Sequence, residues 1–161
     1  MDGRRSSSCP RKSRGPVDRR EELLSEDDRA WQVFMDILER LGPDQLTAPG
    51  LTEDWTVKDL MAHMACWMAQ AAHVLERIRL GTWEKTPMDV DAMNRAFYEA
   101  CKDLDLVAVK SGLQSSRVRM LQEWYELPQI TPEADEWFRE SGPEHIGEHL
   151  PDLERFVRDR G

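Results

Sequence analysis

The chain has 161 residues, close to the roughly 150 of a single domain, a length that buries about two thirds of the surface exposed by its unfolded form. Its 40% hydrophobic residues, 9 Gly and 9 Pro exclude collagen-like, mucin-like and acidic disordered chains. The net charge of -9 is uneven: residues 1–20 hold seven Lys or Arg against Asp2 and Asp18, so the remainder is strongly acidic and repels phosphate backbones, which excludes nucleic acid as a partner outside that tail.

Residues 1–22 read as a basic flexible tail and residues 23–161 as one helical domain, because nearly every long segment repeats at helical period and none alternates at period two. A first helix is expected after Ser25, whose hydroxyl caps the amides near Asp28, while Glu26, Asp27 and Asp28 suit its positive end. Its buried stripe is Trp31, Phe34, Leu38 and Leu41, and Gly42-Pro43 stops it. Thr56-Val57-Lys58-Asp59 is a capping signal for a second helix that presents Leu60, Met61, Met64, Trp67, Met68, Ala71, Leu75 and Ile78 on one face and ends at Gly81.

Asp89 caps a third segment with Val90, Met93, Phe97 and Cys101 inward, and a break falls at Asp103 to Asp105. A longer helix then runs to about Leu127 with Val107, Val118, Leu121 and Tyr125 inward. Thr131-Pro132 opens a short turn holding Trp137 and Phe138, and Ser141-Gly142-Pro143 precedes a last helix with Ile146, Leu150, Leu153 and Val157 inward. The fold class is all-α: a four-helix bundle with one or two short extra helices.

The most apolar stretch, Leu60 to Leu75, is too short and too polar to span a bilayer, so no membrane is expected. Cys9, Cys66 and Cys101 form no CxxC, and Cys66 projects off the core face while Cys101 projects onto it. Neither a disulfide framework nor a cysteine zinc site follows, and a reducing cytoplasm is the expected location.

His63 falls on the flank of the second helix's apolar face and His73 nearly opposite. His145 and His149 stand one turn apart on one flank of the last helix. An i, i+4 pair of imidazoles plus a third from another helix gives three protein ligands and an open position, the stoichiometry of a catalytic rather than a structural metal site. The alternative is a satisfied core His63 with His145 and His149 on the surface. His145-Ile146-Gly147-Glu148-His149 also fits the inverted zinc-protease pattern, but resemblance to that family calls for an acidic ligand well downstream, and twelve residues follow. Pro151 inside this helix crowds the carbonyl of Gly147, so a kink is expected there.

The stretch Leu51-Thr-Glu-Asp-Trp55-Thr-Val-Lys-Asp-Leu-Met-Ala-His63-Met-Ala-Cys-Trp67, followed downstream by Glu144-His145-Ile-Gly-Glu-His149-Leu-Pro-Asp-Leu153, resembles the DinB/YfiT superfamily of four-helix metalloproteins. The likeness runs from Glu21 to Arg158. With Asp91-Ala-Met-Asn94 included, it is most similar to the ClbS/DfsB branch. The resemblance implies a divalent metal, zinc or nickel, on His63, His145 and His149. It also implies relatives of diverse chemistry, among them thiol transferases and isomerases using mycothiol or bacillithiol, hydrolases and self-resistance proteins, so the reaction does not transfer with the fold. The mycothiol-dependent isomerases often carry glutamate where this chain has His145, a departure that makes the resemblance a weaker guide to isomerase activity than to the fold.

The expected activity is that of a metal-dependent enzyme acting on an electrophilic small molecule, by hydrolysis or by transfer of a low-molecular-weight thiol. The alternative is a non-catalytic protein that binds a reactive compound and so protects its host. Glu148, the nearest acid, is a candidate proton carrier, although projection turns it toward solvent. Asn94 is a candidate for orienting substrate, and Trp55 and Trp67 for lining its pocket, with core packing the competing role for both indoles. A homodimer paired through helices is also compatible with the resemblance.

Overall fold

The computed structural model describes residues 18–160 and contains seven helices and no strand among them. Four are long: α1 (Arg19–Glu39), α3 (Val57–Arg79), α5 (Leu106–Glu126) and α7 (Pro143–Arg158). They form the expected bundle, with α3 against α5 and α1 against α7. Three shorter helices, α2 (Pro43–Leu46), α4 (Val90–Cys101) and α6 (Pro132–Ser141), sit in the connections. α6 bridges α3 and α7, and α4 leans chiefly on α3.

α3 is the axis of the core, burying Leu60, Met61, Met64, Trp67, Met68, Ala71 and Leu75 as its periodicity predicts. Its start is fixed by a reciprocal cap in which the Thr56 hydroxyl accepts the Asp59 amide at 3.1 Å and the Asp59 carboxylate accepts the Thr56 amide at 2.9 Å. Gly81 follows its end with φ +70, the left-handed conformation that glycine tolerates best. Asp89 caps α4 as expected, and Asp105, at the end of the expected break, caps α5, each through an amide three residues on.

The sequence reading fails in four places. α1 begins at Arg19, capped by Asp18 rather than Ser25. The extra turns hold because the Arg19 guanidinium pairs with Asp135 and that of Arg20 donates to the carbonyls of Trp124 and Leu127. Residues 1–17 of the basic segment lie outside the described residues. With that earlier start Asp27 lies past the first turn, where it is fully buried and accepts Arg117 at 2.7 Å.

On α5 the buried residues are Val109, Leu113, Met120, Glu123 and Trp124, whereas Val107, Val118 and Tyr125 are exposed and Leu121 is half-buried. The choice of face follows Trp124, which stacks on Phe138 at 4.2 Å and buries far more apolar area than any valine. Phe138 is itself on α6, a helix of 10 residues where a turn was expected; Thr131 caps it and Pro132 starts it. On α4 no residue is buried: Met93, Phe97 and Cys101 are half-buried and Val90 is exposed. α7 buries Ile146 and Leu153 as expected, half-buries Leu150 and Val157, and stays helical through Pro151.

Candidate metal centre

His63 occupies the second turn of α3, and His145 and His149 occupy the first turns of α7, so the capped start of α3 and the Gly142-Pro143 start of α7 set their directions. The three rings converge. His63 Nε2 lies 3.0 Å from His145 Nε2, which lies 3.1 Å from His149 Nε2. His63 and His145 are buried and His149 is half-buried.

Burial is the main force on their titration. It pushes His63 down to about 4, helped by the neighbouring His149, and His145 down to about 3, helped by His63 and His149. His149 is also lowered by burial, against the opposing pull of Glu148 and Asp152. At neutral pH all three imidazoles are therefore uncharged, each with one nitrogen lone pair to offer. Two ligand nitrogens on one tetrahedral zinc stand about 3.3 Å apart, close to the two separations seen, so this donor set fits a divalent borderline ion. One requirement is unmet: Nδ1 of His63 is buried and has no hydrogen-bond partner among the described residues.

The cluster opens into a cleft of about 1320 Å³ bounded by α3, the 82–89 connection, α4, α6 and α7. Trp55 packs against His63 with ring centres 4.9 Å apart, and Trp67 meets His145 edge-on at 6.5 Å. A deep aromatic wall beside three neutral imidazoles suits an organic substrate with an apolar part.

The sequence profile of the mycothiol maleylpyruvate isomerase N-terminal domain matches residues 28–154. The chain belongs to that family. The isomerase N-terminal domains lie within the DinB/YfiT-like helical superfamily, so the all-α bundle and the broader resemblance stand. A search of curated proteins finds no match. Among solved structures, an uncharacterised protein from Escherichia coli UTI89 is similar, with a TM-score of 0.73 and 12% identity over 88% of this chain and 94% of that one, a likeness of fold alone.

In this isomerase-domain chain the sequence-predicted residues distribute as follows. The three histidines meet, and His73 is exposed on α3, outside the cluster. Trp55, Trp67 and Asn94 all line the cleft, and Asn94 Oδ1 accepts the Trp67 indole N–H at 2.9 Å. Glu148 is exposed on the cleft wall and forms no hydrogen bond to the histidines among the described residues, although its charge reaches His149.

Sequence reasoning missed the carboxylate row of Glu136, Glu140, Glu144 and Glu148 along this wall. The four-residue spacing is in the sequence, but Glu136 and Glu140 belong to α6 and Glu144 and Glu148 to α7, so only the packing of those two helices brings them to one wall. Glu140 is raised by burial first and by Glu136 next. Also missed were Tyr98, stacked on Trp55 at 6.4 Å, and the approach of Cys66 to Cys101. Burial pushes the Cys66 thiol up to about 12, with Cys101 adding to the shift, so little of it is thiolate at neutral pH.

Proposed function

We propose that this protein is a divalent-metal enzyme that joins a low-molecular-weight thiol to an electrophilic small molecule in the cleft, with hydrolysis of the same substrates as the alternative outcome. The observation that carries the reading is the convergence of three neutral imidazole nitrogens, from α3 and α7, on the wall of a large aromatic cleft. Membership in the mycothiol maleylpyruvate isomerase N-terminal family supports the thiol, since that family is named for a thiol-dependent reaction.

His63, His145 and His149 would hold the ion, zinc or nickel, and a Lewis acid bound there lowers the pKa of a thiol or water in the cleft. The chain's own residues do the rest. Trp55 and Trp67 exclude water from the face of the histidines and give the substrate an apolar bed. Asn94, its oxygen held by the Trp67 indole, offers its amide hydrogens to a substrate carbonyl. Glu148, exposed at the rim, passes a proton to solvent. The ClbS/DfsB-like motif at Asp91 to Asn94 supports an electrophilic natural product as substrate class within this reading.

The test is metal content of untagged protein beside His145→Ala, followed by turnover with an electrophile such as an activated alkene plus a cysteine-derived thiol. About one equivalent of zinc or nickel in the parent, little in the variant and thiol adduct beyond one equivalent per protein are expected. Full metal in the variant overturns the site; product limited to one equivalent means sequestration without turnover.

A further inference from the structure

Two cysteines meet at the seam between α3 and α4, apart from the histidines. Cys66 Sγ lies 3.6 Å from Cys101 Sγ, both side chains are half-buried, and both are free thiols. The helix on one side of that seam is lightly held. α4 buries none of its residues and leans chiefly on α3. Its attachments are the Trp67–Asn94 hydrogen bond, the edge contact of Trp67 with Phe97 at 5.4 Å, the Trp55–Tyr98 stack, and Lys58 Nζ donating to the carbonyls of Lys102 at 2.9 Å and Leu104 at 2.8 Å.

We propose that Cys66 and Cys101 are a reversible dithiol–disulfide site that accepts a low-molecular-weight disulfide as oxidant and, when oxidised, fastens α4 to α3 along the cleft wall. Two sulfurs at 3.6 Å are in van der Waals contact, and a bond needs them at about 2.05 Å. A helix without buried side chains can close that gap, whereas two elements locked in a core could not. Cys101 also lines a cavity of about 10 Å³ with Trp55, His63 and Lys102, room for one water only, so a disulfide reagent reaches it by local opening of the lightly held α4.

The chemistry balances as two thiol–disulfide exchanges. Cys101 gives up its proton and its sulfur attacks one sulfur of RS–SR, forming a mixed disulfide and releasing RS⁻, which takes a proton as RSH. Cys66 then attacks the Cys101 sulfur of that mixed disulfide, loses its proton, and the second RSH leaves. The protein gives up two electrons and two protons, and the small disulfide takes both. Cys66 suits the second step by position, since its target sulfur is already in contact at 3.6 Å and that proximity offsets its small thiolate fraction. A disulfide of this kind in a reducing compartment is transient and switches with the state of the thiol pool.

The difference it makes is to α4, which carries Asn94 and bounds the cleft. Oxidised protein holds that wall in place; reduced protein leaves it on its few polar and aromatic contacts, free to open locally.

The experiment uses the full chain with Cys9→Ser, incubated in glutathione and glutathione disulfide at stepped ratios, with peptide mapping and hydrogen exchange as readouts. One Cys66–Cys101 link is expected, with exchange of the α4 amides slowed several-fold and that of α5 unchanged. Cys66→Ala and Cys101→Ser variants should each stop at the mixed disulfide or stay reduced, with exchange as in the reduced parent. A second run in the His145→Ala background should form the same link, which separates this site from the metal reading. Failure to form the link in folded protein at a strongly oxidising ratio overturns the proposal, and a link that leaves α4 exchange unchanged overturns the fastening.

Discussion

A buried histidine kept neutral is at once a ready ligand and a liability in acid. In the unfolded chain His63, His145 and His149 take protons near 6.5, while in the folded one His63 waits until about 4 and His145 until about 3. Between those limits the unfolded state binds more protons, so stability is full above about pH 6.5 and falls as the pH drops toward the folded values. Each histidine that protonates only on unfolding contributes a slope of about 1.4 kcal/mol per pH unit. Urea melts of metal-stripped protein from about pH 7.5 to about pH 5 should therefore show falling stability, and His63→Phe should flatten the slope. A slope unchanged by that substitution would show that other groups drive it. Spacing alone put these three residues on suitable faces, because four residues make one helical turn wherever the helix sits. Their meeting across 82 residues was not in the spacing; only the docking of α7 beside α3 supplies it.

Periodicity shows that a helix has an apolar stripe, and a helix with two stripes defeats it. α5 carries Val107, Val118 and Tyr125 along one line and Val109, Leu113, Met120 and Trp124 along another, and the second goes inward because Trp124 finds Phe138 and Glu123 finds Arg79 at 3.0 Å. Both partners belong to other elements, so no local signal names the face. The Asp27–Arg117 pair joining α1 to α5 is hidden for the same reason. Arg117 there also reaches Asp28 at 2.8 Å and covers the Trp31 ring at 4.7 Å, while burial holds the Asp27 carboxyl above its usual range against the pull of Arg117. Removing the cation strands a fully buried acid, so Arg117→Ala should cost about 3–5 kcal/mol, read in chemical denaturation at neutral pH. Asp27→Asn in the same background should recover part of the loss, because an amide carries no charge to strand. Next to this pair, a Cβ on Gly142 would meet Asp27 Oδ1 at 2.7 Å and the Phe138 carbonyl at 2.9 Å. Backbone on one side cannot yield, so Gly142→Ala should cost about 1–3 kcal/mol and, by shifting the start of α7, weaken metal binding at His145 in an equilibrium competition with a chromophoric chelator.

The bundle divides the support of its own site. α7 rests chiefly on α1 and α6, α3 rests chiefly on α5 and α6, and direct packing between α3 and α7 is slight apart from the histidines. An ion on His63, His145 and His149 would therefore join two elements that the core leaves loosely paired, and its binding energy would appear as stability of the whole chain. At free metal one hundred times the dissociation constant that stabilisation is about 2.7 kcal/mol. For a chain of this size each kcal/mol moves Tm by about 2–4 °C, so zinc or nickel should raise the calorimetric Tm of stripped protein by roughly 5–10 °C. His149→Ala keeps the fold's two buried histidines and removes one ligand, so it should melt like the stripped parent and lose most of that rise. The shift should depend on the logarithm of free metal, as mass action requires for a ligand bound by the native state alone. Exchange of α7 amides should slow on loading while that of α5 stays as it was. Equal Tm rises in parent and variant would place the bound metal on the acidic surface instead and leave the bundle standing without its centre.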